Sequence, residues 1–214
     1  MAEPFRIAVL ASGRGSNLRA LVRAQQEGRL PVRFVGVFSD RANCPALELA
    51  RENDIPVQAL SPADFPDRLQ YDAALFSRIE AVQPDLIVCA GYMRLISDEA
   101  VHRWRGKMIN IHPSLLPRHP GLRTHARALA AGDRDHGASV HCVIPELDAG
   151  HVVTQARLTV LPGEDAESLG RRVLEREHPL LVQTVRAIAL GELDISEMPP
   201  RWRGTALASP MLLG

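Results

Sequence analysis

The amino-acid sequence has no charge bias and no long apolar run. Lys and Arg together number 25, as do Asp and Glu, so the formal net charge is zero. A chain with this balance is not expected to bind nucleic acid or an anionic membrane surface through bulk electrostatics. No stretch approaches the roughly 20 consecutive apolar residues of a membrane span. The N-terminal residues also lack the basic start and apolar core of a signal peptide, so we expect a cytoplasmic protein.

Cysteine is scarce, and the few cysteines form no recognisable pattern. Cys44, Cys89 and Cys142 are odd in number and lie far apart. We therefore expect reduced, buried packing residues rather than a disulfide framework. Lysine is scarcer still, since Lys107 is the only one. Nearly all the positive charge is arginine, which is available for local contacts with anions.

Histidine, in contrast, is clustered in one part of the chain, at positions 112, 119, 125, 136 and 141. A zinc site would need three or four converging ligands, and neither His-Glu-x-x-His nor Cys-x-x-Cys is present. We therefore predict no metal site. His141 alternates with Val140 and Cys142 along a predicted strand, so its side chain could face either the core or a cleft.

Short apolar runs alternate with helical patterns along the first part of the chain, and 46% of the 214 residues are apolar. Strands are predicted at Ile7–Ala11, Arg33–Ser39, Pro56–Leu60, Leu86–Ala90 and Met108–Ile111. Helices are predicted at Ser16–Glu27, Pro45–Asn53, Arg68–Val82 and near Thr124–Ala131. This alternation predicts an α/β fold with a doubly wound, mostly parallel sheet and helices on both faces.

The last third of the chain departs from this alternation. Strands predicted at Ala138–Val143 and Val152–Leu158 could pair antiparallel, and a long helix is predicted over Ala166–Leu190. Residues 194–214 show no clear period. No linker is evident, so we predict a single domain over residues 1–191, with halves of about 1–100 and 101–191, and an irregular tail over 192–214.

The stretch from Met108 to Leu122 is the most informative part of the sequence. An apolar run carries Asn110 and His112 to its end, where Pro113 stops it. Side chains two apart on a strand point to the same face, so a carboxamide and an imidazole are aimed at one spot. This pair suits stabilisation of a developing oxyanion and transfer of a proton. The alternative is a strand end whose polar residues only cap it.

A glycine-rich turn, Ser-Gly-Arg-Gly-Ser-Asn at 12–17, joins the first predicted strand to the first helix. Glycines allow close approach of the backbone and amides at a helix start attract anions, so this turn could bind a phosphate. The alternative is a tight turn with Ser16 as the N-cap. Leu18 replaces the third glycine of the dinucleotide fingerprint, and no P-loop Gly-Lys-Ser/Thr is present. The turn therefore favours a phosphate monoester over NAD or ATP.

Two further segments carry weaker local signals. Asp148 lies in an acidic turn after the His141 strand. The turn is either merely solvated, or it places Asp148 beside His112, where the carboxylate would favour the imidazolium form. The segment 91–96 follows the fourth predicted strand, and it either packs in the core or lines a pocket for a flat heterocycle.

Six short motifs follow one another along nearly the whole chain, from Ile7 to about Ile188. They are Ser-Gly-Arg-Gly-Ser-Asn-Leu at 12–18, Ala-Gly-Tyr-Met-Arg-Leu-Ile-Ser at 90–97, Asn-Ile-His-Pro-Ser-Leu-Leu-Pro at 110–117, His-Gly-Ala-Ser-Val-His at 136–141, Glu-Leu-Asp-Ala-Gly at 146–150 and Glu-Arg-Glu-His-Pro at 175–179. In this order and spacing they resemble the formyltetrahydrofolate-dependent formyltransferases, and within that family the glycinamide ribonucleotide (GAR) transformylases. Related members carry an extra tRNA-binding or regulatory domain, which a chain of 214 residues is not expected to contain.

The resemblance implies roles for individual residues. Gly15, Ser16 and Asn17 would hold the ribonucleotide phosphate, and Glu177 would contact the glycinamide substrate. The implied catalytic trio is Asn110, His112 and Asp148. The implied folate contacts are Arg68, Met93, Arg94, Leu95, Ile96, Asn110, Ile144 and Asp148. The chain departs from the family pattern at Ala149-Gly150-His151, where Gly-Gly-Pro is frequent, and at Arg123, where His is frequent.

The resemblance also implies a reaction. The formyl group of 10-formyltetrahydrofolate, a co-substrate, would pass to the amine of 5′-phosphoribosylglycinamide in purine biosynthesis, without a metal. Both partners are small molecules, and a monomer or homodimer is expected. Two alternatives stay open. The same trio could hydrolyse formyltetrahydrofolate, or the chain could be a nucleotide-binding module in which the three residues coincide by accident.

Overall fold

The computed structural model describes residues 3–213, which form two compact units divided between Ile109 and Asn110. The predicted α/β fold class with mostly parallel strands is confirmed. Within the described range, no helix combines the length and apolar character needed to cross a membrane.

The first unit contains four parallel strands. They are β1 (Phe5–Leu10), β2 (Val32–Ser39), β3 (Val57–Ala59) and β4 (Leu86–Cys89). Strand β1 is central, because it pairs in parallel with both β2 and β4, while β3 lies on the far side of β2. The strand order therefore reverses between β1 and β4, which is where open parallel sheets bind ligands. All four strands were predicted, with small differences at their ends.

The first unit also contains four α-helices, of which the first three connect these strands. They are α1 (Ser16–Gln26), α2 (Pro45–Glu52), α3 (Arg68–Ala81) and α4 (Asp98–Arg103), with a 3₁₀ turn at Pro62–Asp64. Helix α1 buries Leu18, Leu21 and Val22, the apolar positions that predicted it. The alternative in which Ser16 is the N-cap is wrong, because Gly15 precedes the helix with a left-handed φ of 73°. Helix α4 was not predicted, since six residues are too few to show a helical period.

Strand β5 (Met108–His112) begins in the first unit and ends in the second, which also contains α5 (Thr124–Ala130), β6 (Asp135–Cys142), β7 (Val152–Thr159) and α6 (Ala166–Ala189). The predicted antiparallel pairing is confirmed, with His136 opposite Leu158 and His141 opposite Val152. Gly137 is required within this pair, because a Cβ there would lie 1.9 Å from the Ala156 carbonyl oxygen.

The prediction of an irregular tail is wrong within the described residues. The tail contains β8 (Leu193–Asp194), β9 (Arg201–Trp202), β10 (Thr205–Ala206) and β11 (Met211–Leu212). Strands β8, β9 and β10 form a small antiparallel sheet, and β11 pairs in parallel with β7. Strands of two residues carry no alternation of apolar and polar side chains, so the sequence gives no signal for them.

All three cysteines are free and buried, as the sequence predicted. Burial raises the pKa of the Cys89 thiol to about 12, and it raises that of Cys142 to about 12 as well. Both thiols are therefore protonated at neutral pH and act as packing residues.

Candidate active site

Strand β5 and the turn after β6 bring three predicted residues together in the second unit. Asn110 and His112 lie two apart on β5, and Pro113 follows. Asp148 lies in the turn before β7, with a left-handed φ of 50°. Its Oδ2 is 3.4 Å from His112 Nδ1, and its Oδ1 is 3.5 Å from Asn110 Nδ2. The carboxamide and the imidazole therefore both point at one buried carboxylate.

The imidazole of His112 lies between two hydrogen-bond acceptors. Its Nε2 is 3.0 Å from the carbonyl oxygen of His119. A carbonyl can only accept, so Nε2 carries a hydrogen and donates it. Nδ1 faces the Asp148 carboxylate, which when ionised also only accepts. These contacts suit an imidazolium with a hydrogen on each nitrogen.

Burial works against that charge. It lowers the pKa of His112 below its ordinary value, and the hydrogen bond to the His119 carbonyl and the charge of Asp148 oppose it. The sequence had suggested only the effect of Asp148, because the desolvation of His112 cannot be read from spacing. Burial would by itself raise the pKa of Asp148, but hydrogen bonds from His141 and the Gly121 amide, together with the imidazole charges, lower it below its ordinary value.

His141 completes the polar group around Asp148. Its side chain is buried, and Nδ1 is 3.0 Å from the Cys142 carbonyl oxygen, so Nδ1 donates. Nε2 lies 3.1 Å from Asn110 Nδ2 and 3.5 Å from Asp148 Oδ1, so it accepts from Asn110 when the ring is neutral and donates to Asp148 when the ring is protonated. The open question of which way His141 faces is answered, because it contacts Asn110. One N–H of Asn110 is thereby occupied, and the second points at Asp148 over the longer distance of 3.5 Å.

The backbone of the loop Arg118–Gly121, here called the 118–121 loop, also contacts this group. The His119 carbonyl accepts from His112, and the Gly121 N–H donates to Asp148 Oδ2 at 2.8 Å. Both residues have left-handed φ angles, 54° and 77°. The sequence does not predict these loop contacts, since backbone contacts leave no residue-type signal beyond the Pro-Gly pair at 120–121.

The predicted phosphate turn lies in the first unit, after β1. Gly15 has a left-handed φ of 73°, and a Cβ there would lie 2.8 Å from Ala46 Cα, so only glycine fits. Ser12 ties the turn to the segment after β4, because its N–H donates to the Gly91 carbonyl at 3.0 Å and its Oγ accepts from the Met93 N–H at 3.0 Å. Ser16 and Asn17, which are also predicted to contact the phosphate, are half-buried and buried, respectively.

The predicted folate segment, Met93–Ile96, is also in the first unit. Met93 and Leu95 are 62% and 53% exposed, which leaves apolar side chains available to a flat ring. The Arg94 guanidinium lies over the ring of Tyr71 of α3, 5.3 Å from its centroid. Arg68 is exposed at the first position of the same helix. Arg68 therefore begins the helix whose Tyr71 contacts Arg94 of the 93–96 segment.

Two predicted contacts lie elsewhere in the second unit. Ile144 is half-buried after β6, and Glu177 is buried in α6, 7% exposed. Among residues 3–213 no three His, Cys, Asp or Glu side chains are arranged so as to hold a metal ion.

Comparison with known proteins identifies the family. Residues 5–185 match the formyl transferase family. The phosphoribosylglycinamide formyltransferase of Escherichia coli K12 is 40% identical over 193 residues, which are 90% of this chain and 91% of that protein. The Mycobacterium tuberculosis H37Rv enzyme of the same name is 42% identical over 186 residues, 87% of this chain and 86% of that protein. The phosphoribosylglycinamide formyltransferase structure from Coxiella burnetii is 41% identical with a TM-score of 0.95, and covers 99% of this chain and 100% of its own. The chain belongs to the formyl transferase family.

Proposed function

We propose that the chain transfers the formyl group of 10-formyltetrahydrofolate to the amine of 5′-phosphoribosylglycinamide. The products are 5′-phosphoribosyl-N-formylglycinamide and tetrahydrofolate, in purine biosynthesis. The observation that carries the proposal is the convergence of Asn110 and His112 on Asp148, in a chain that matches phosphoribosylglycinamide formyltransferases over most of its length.

Two N–H groups are available to the transition state. Asn110 Nδ2 and His112 Nδ1 face Asp148 at 3.5 and 3.4 Å, longer than the usual 2.7–3.2 Å of a good hydrogen bond. Each can therefore turn to a substrate oxygen at little cost. When the neutral amine attacks the formyl carbon, the carbonyl oxygen becomes an oxyanion that these donors stabilise. Loss of one such donor costs about 3–4 kcal/mol of transition-state stabilisation.

Asp148 stabilises the charge of His112 and relays a proton in this mechanism. As a carboxylate it favours the His112 cation, and its lowered pKa keeps it ionised at neutral pH. The attacking amine loses a proton as the new C–N bond forms, and N10 of the folate gains one as its bond to the formyl carbon breaks. Asp148 relays this proton through water, so the protein is unchanged at the end of the cycle.

The substrates are assigned to the residues that match the family motifs. The ribonucleotide phosphate binds the amides and side chains of Gly15, Ser16 and Asn17 at the start of α1, where the helix dipole favours an anion. Glu177 contacts the glycinamide. The remaining residues contact the folate: Arg68, Met93, Arg94, Leu95, Ile96, Ile144, Asn110 and Asp148. On this assignment the half of about 1–100 binds the ribonucleotide phosphate and carries the folate contacts Arg68 and Met93–Ile96. The half of about 101–191 is the catalytic half and carries the remaining folate contacts.

We further infer small-molecule partners only, a cytoplasmic location, and a monomer or homodimer. The buried, protonated thiols of Cys89 and Cys142 support a reducing compartment.

Folate absorbance, followed with and without 5′-phosphoribosylglycinamide, tests the proposal. We expect conversion of 10-formyltetrahydrofolate only when the ribonucleotide is present, with the formyl group recovered on its amine. Formate release at the same rate without the ribonucleotide would instead identify a hydrolase.

A further inference from the structure

We propose that Asp133 is a positioning residue which, through the side chain of His119, holds the 118–121 loop against His112 and Asp148. The inference rests on the proposed roles of His112 and Asp148. On this proposal Asp133 and His119 affect the reaction by positioning other groups, and neither residue contacts a substrate.

The 118–121 loop presents two backbone groups of opposite polarity to two side chains of opposite charge. The His119 carbonyl accepts from His112 Nε2 at 3.0 Å, and the Gly121 N–H donates to Asp148 Oδ2 at 2.8 Å. A carbonyl dipole stabilises a neighbouring cation, and an N–H dipole stabilises a neighbouring anion. The loop therefore favours the charged form of both residues, provided that it keeps its position.

His119 is held by its side chain. Its Nε2 is 2.7 Å from Asp133 Oδ2, and the two side chains are 13% and 14% exposed. The carboxylate can only accept, so His119 Nε2 donates. The hydrogen bond from His119, helped by the charge of Arg118, holds the pKa of Asp133 below its ordinary value. The carboxylate therefore stays an acceptor across the neutral range.

Asp133, which anchors His119, is itself fixed to the end of α5. The Asp133 N–H donates to the Ala128 carbonyl at 3.1 Å, which ties Asp133 to the last turn of the helix. Arg127 of the same helix donates to the Pro120 carbonyl. One short helix therefore holds two consecutive loop residues, 119 and 120, one through Asp133 and one through Arg127.

The anchor is needed because the loop backbone is strained. A left-handed φ is disfavoured for a residue with a side chain, because Cβ crowds the neighbouring carbonyl oxygen, and His119 has a φ of 54°. Without the bond to Asp133, His119 gains by returning to an ordinary φ, which turns its carbonyl away from His112. His112 then loses one of the two contacts that offset its burial.

Several titratable groups surround His112, and the experiment must separate their effects. Asp148 and the His119 carbonyl favour its protonated form, whereas the charges of His141 and Arg127 disfavour it. Further charged or titratable groups among the described residues interact with His112 or with its neighbours, namely His119, Arg118, Asp133, His125 and His136.

The test compares Asp133→Ala with Asp133→Asn and Asp135→Ala. Asp133→Ala removes the acceptor, whereas Asp133→Asn removes the charge but keeps an oxygen that accepts from His119. Asp135→Ala removes a charge two residues away, where the carboxylate faces Arg157 at 3.9 Å rather than the loop. The measurements are kcat and KM for both substrates, and the pKa and nitrogen NMR shifts of the His112 imidazole in the free protein.

We expect Asp133→Ala to lower kcat on the order of 10- to 100-fold with little change in either KM, because misplacement of a catalytic group acts on the chemical step. The pKa of His112 should fall, and its Nε2 signal should lose the signature of hydrogen bonding. Asp133→Asn should retain most of both properties, and Asp135→Ala should resemble the wild type.

Equal losses in Asp133→Ala and Asp133→Asn would assign the effect to charge and overturn the positioning role, as would an unchanged His112 spectrum. The NMR result needs no substrate, so it decides this inference even if the wild type transfers no formyl group and the proposed function fails.

Discussion

His112 Nδ1 lies 3.4 Å from Asp148 Oδ2, and each of the two side chains is only 8% exposed. The separation is too long for a full-strength hydrogen bond, yet short enough for strong electrostatic attraction where little water screens it. The contact therefore favours the charge on His112 while leaving its Nδ1–H able to turn to a substrate oxygen. Asn110 Nδ2 has the same relationship to Oδ1 at 3.5 Å, so one carboxylate orients both proposed oxyanion donors.

The phosphate turn is tested by Gly15→Ala. The new Cβ would meet Ala46 Cα at 2.8 Å, and the left-handed φ of 73° would be strained as well. We expect the turn to shift and the KM for 5′-phosphoribosylglycinamide to rise at least several-fold more than the KM for the folate. Steady-state kinetics with each substrate varied in turn measures this.

Gly28→Ala is the matched control for backbone strain. Gly28 also has a left-handed φ, 71°, but a Cβ there meets nothing within 4 Å. It should cost roughly 1–2 kcal/mol of stability from the φ angle alone and leave both KM values unchanged. If Gly15→Ala raises the two KM values equally, the turn does not bind the phosphate.

Metal removal should leave the activity intact. Asn110, His112 and Asp148 provide donors and a carboxylate without a Lewis acid, and the sequence has no zinc spacing. After exhaustive dialysis against EDTA, kcat should stay within error of the untreated enzyme. A loss that added zinc restores would contradict the proposed mechanism.

Acid should destabilise the protein partly through His136. This residue is 1% exposed, and burial, helped by the charges of His125 and His119, lowers its pKa from 6.5 to about 4. The folded state therefore binds a proton at His136 less readily than the unfolded state. The free energy of unfolding that neutral His136 contributes is fully present above pH 6.5, and it is lost as the pH falls towards about 4.

Melting temperatures between pH 7 and pH 4 check this expectation. His136→Gln should make the pH dependence shallower, since the neutral amide cannot take up a proton. The same change at the exposed His102 should leave the slope as in the wild type. Identical slopes for wild type and His136→Gln would show that His136 does not contribute to acid unfolding.

The sequence predicted those parts of the fold and site that depend on local periodicity. Alternation on β5 placed Asn110 and His112 on one face, and both contact Asp148 as that placement requires. The helical spacing of Leu18, Leu21 and Val22 likewise indicated α1, which buries all three residues. Helix α4 and the two-residue strands of the tail are shorter than one period of their own pattern, so they left no signal.

Contacts made by backbone groups could not be predicted. The His119 carbonyl reaches His112 only because His119 adopts a left-handed φ, and residue type does not specify that angle for histidine. The ring of His119 meets Asp133 from 14 residues away, through the packing of the loop against α5. The direction of the His112 pKa shift was likewise hidden, because burial is a property of the folded chain.

The pH–rate profile of Asp148→Asn, measured beside wild type, His112→Ala and the double mutant, tests directly whether Asp148 stabilises the His112 cation during turnover. The charge of Asp148 opposes the effect of burial on His112, so its removal lowers the pKa of His112 further. We expect Asp148→Asn to lower the turnover rate on the order of 100- to 1,000-fold. The edge of the profile that His112 controls should move to lower pH, and it should be missing in His112→Ala. The double mutant should lose much less than the sum of the single losses, because the two residues act as a unit. Additive losses with an unaltered profile would show that Asp148 does not act on the charge of His112 and would assign it to shaping the turn before β7.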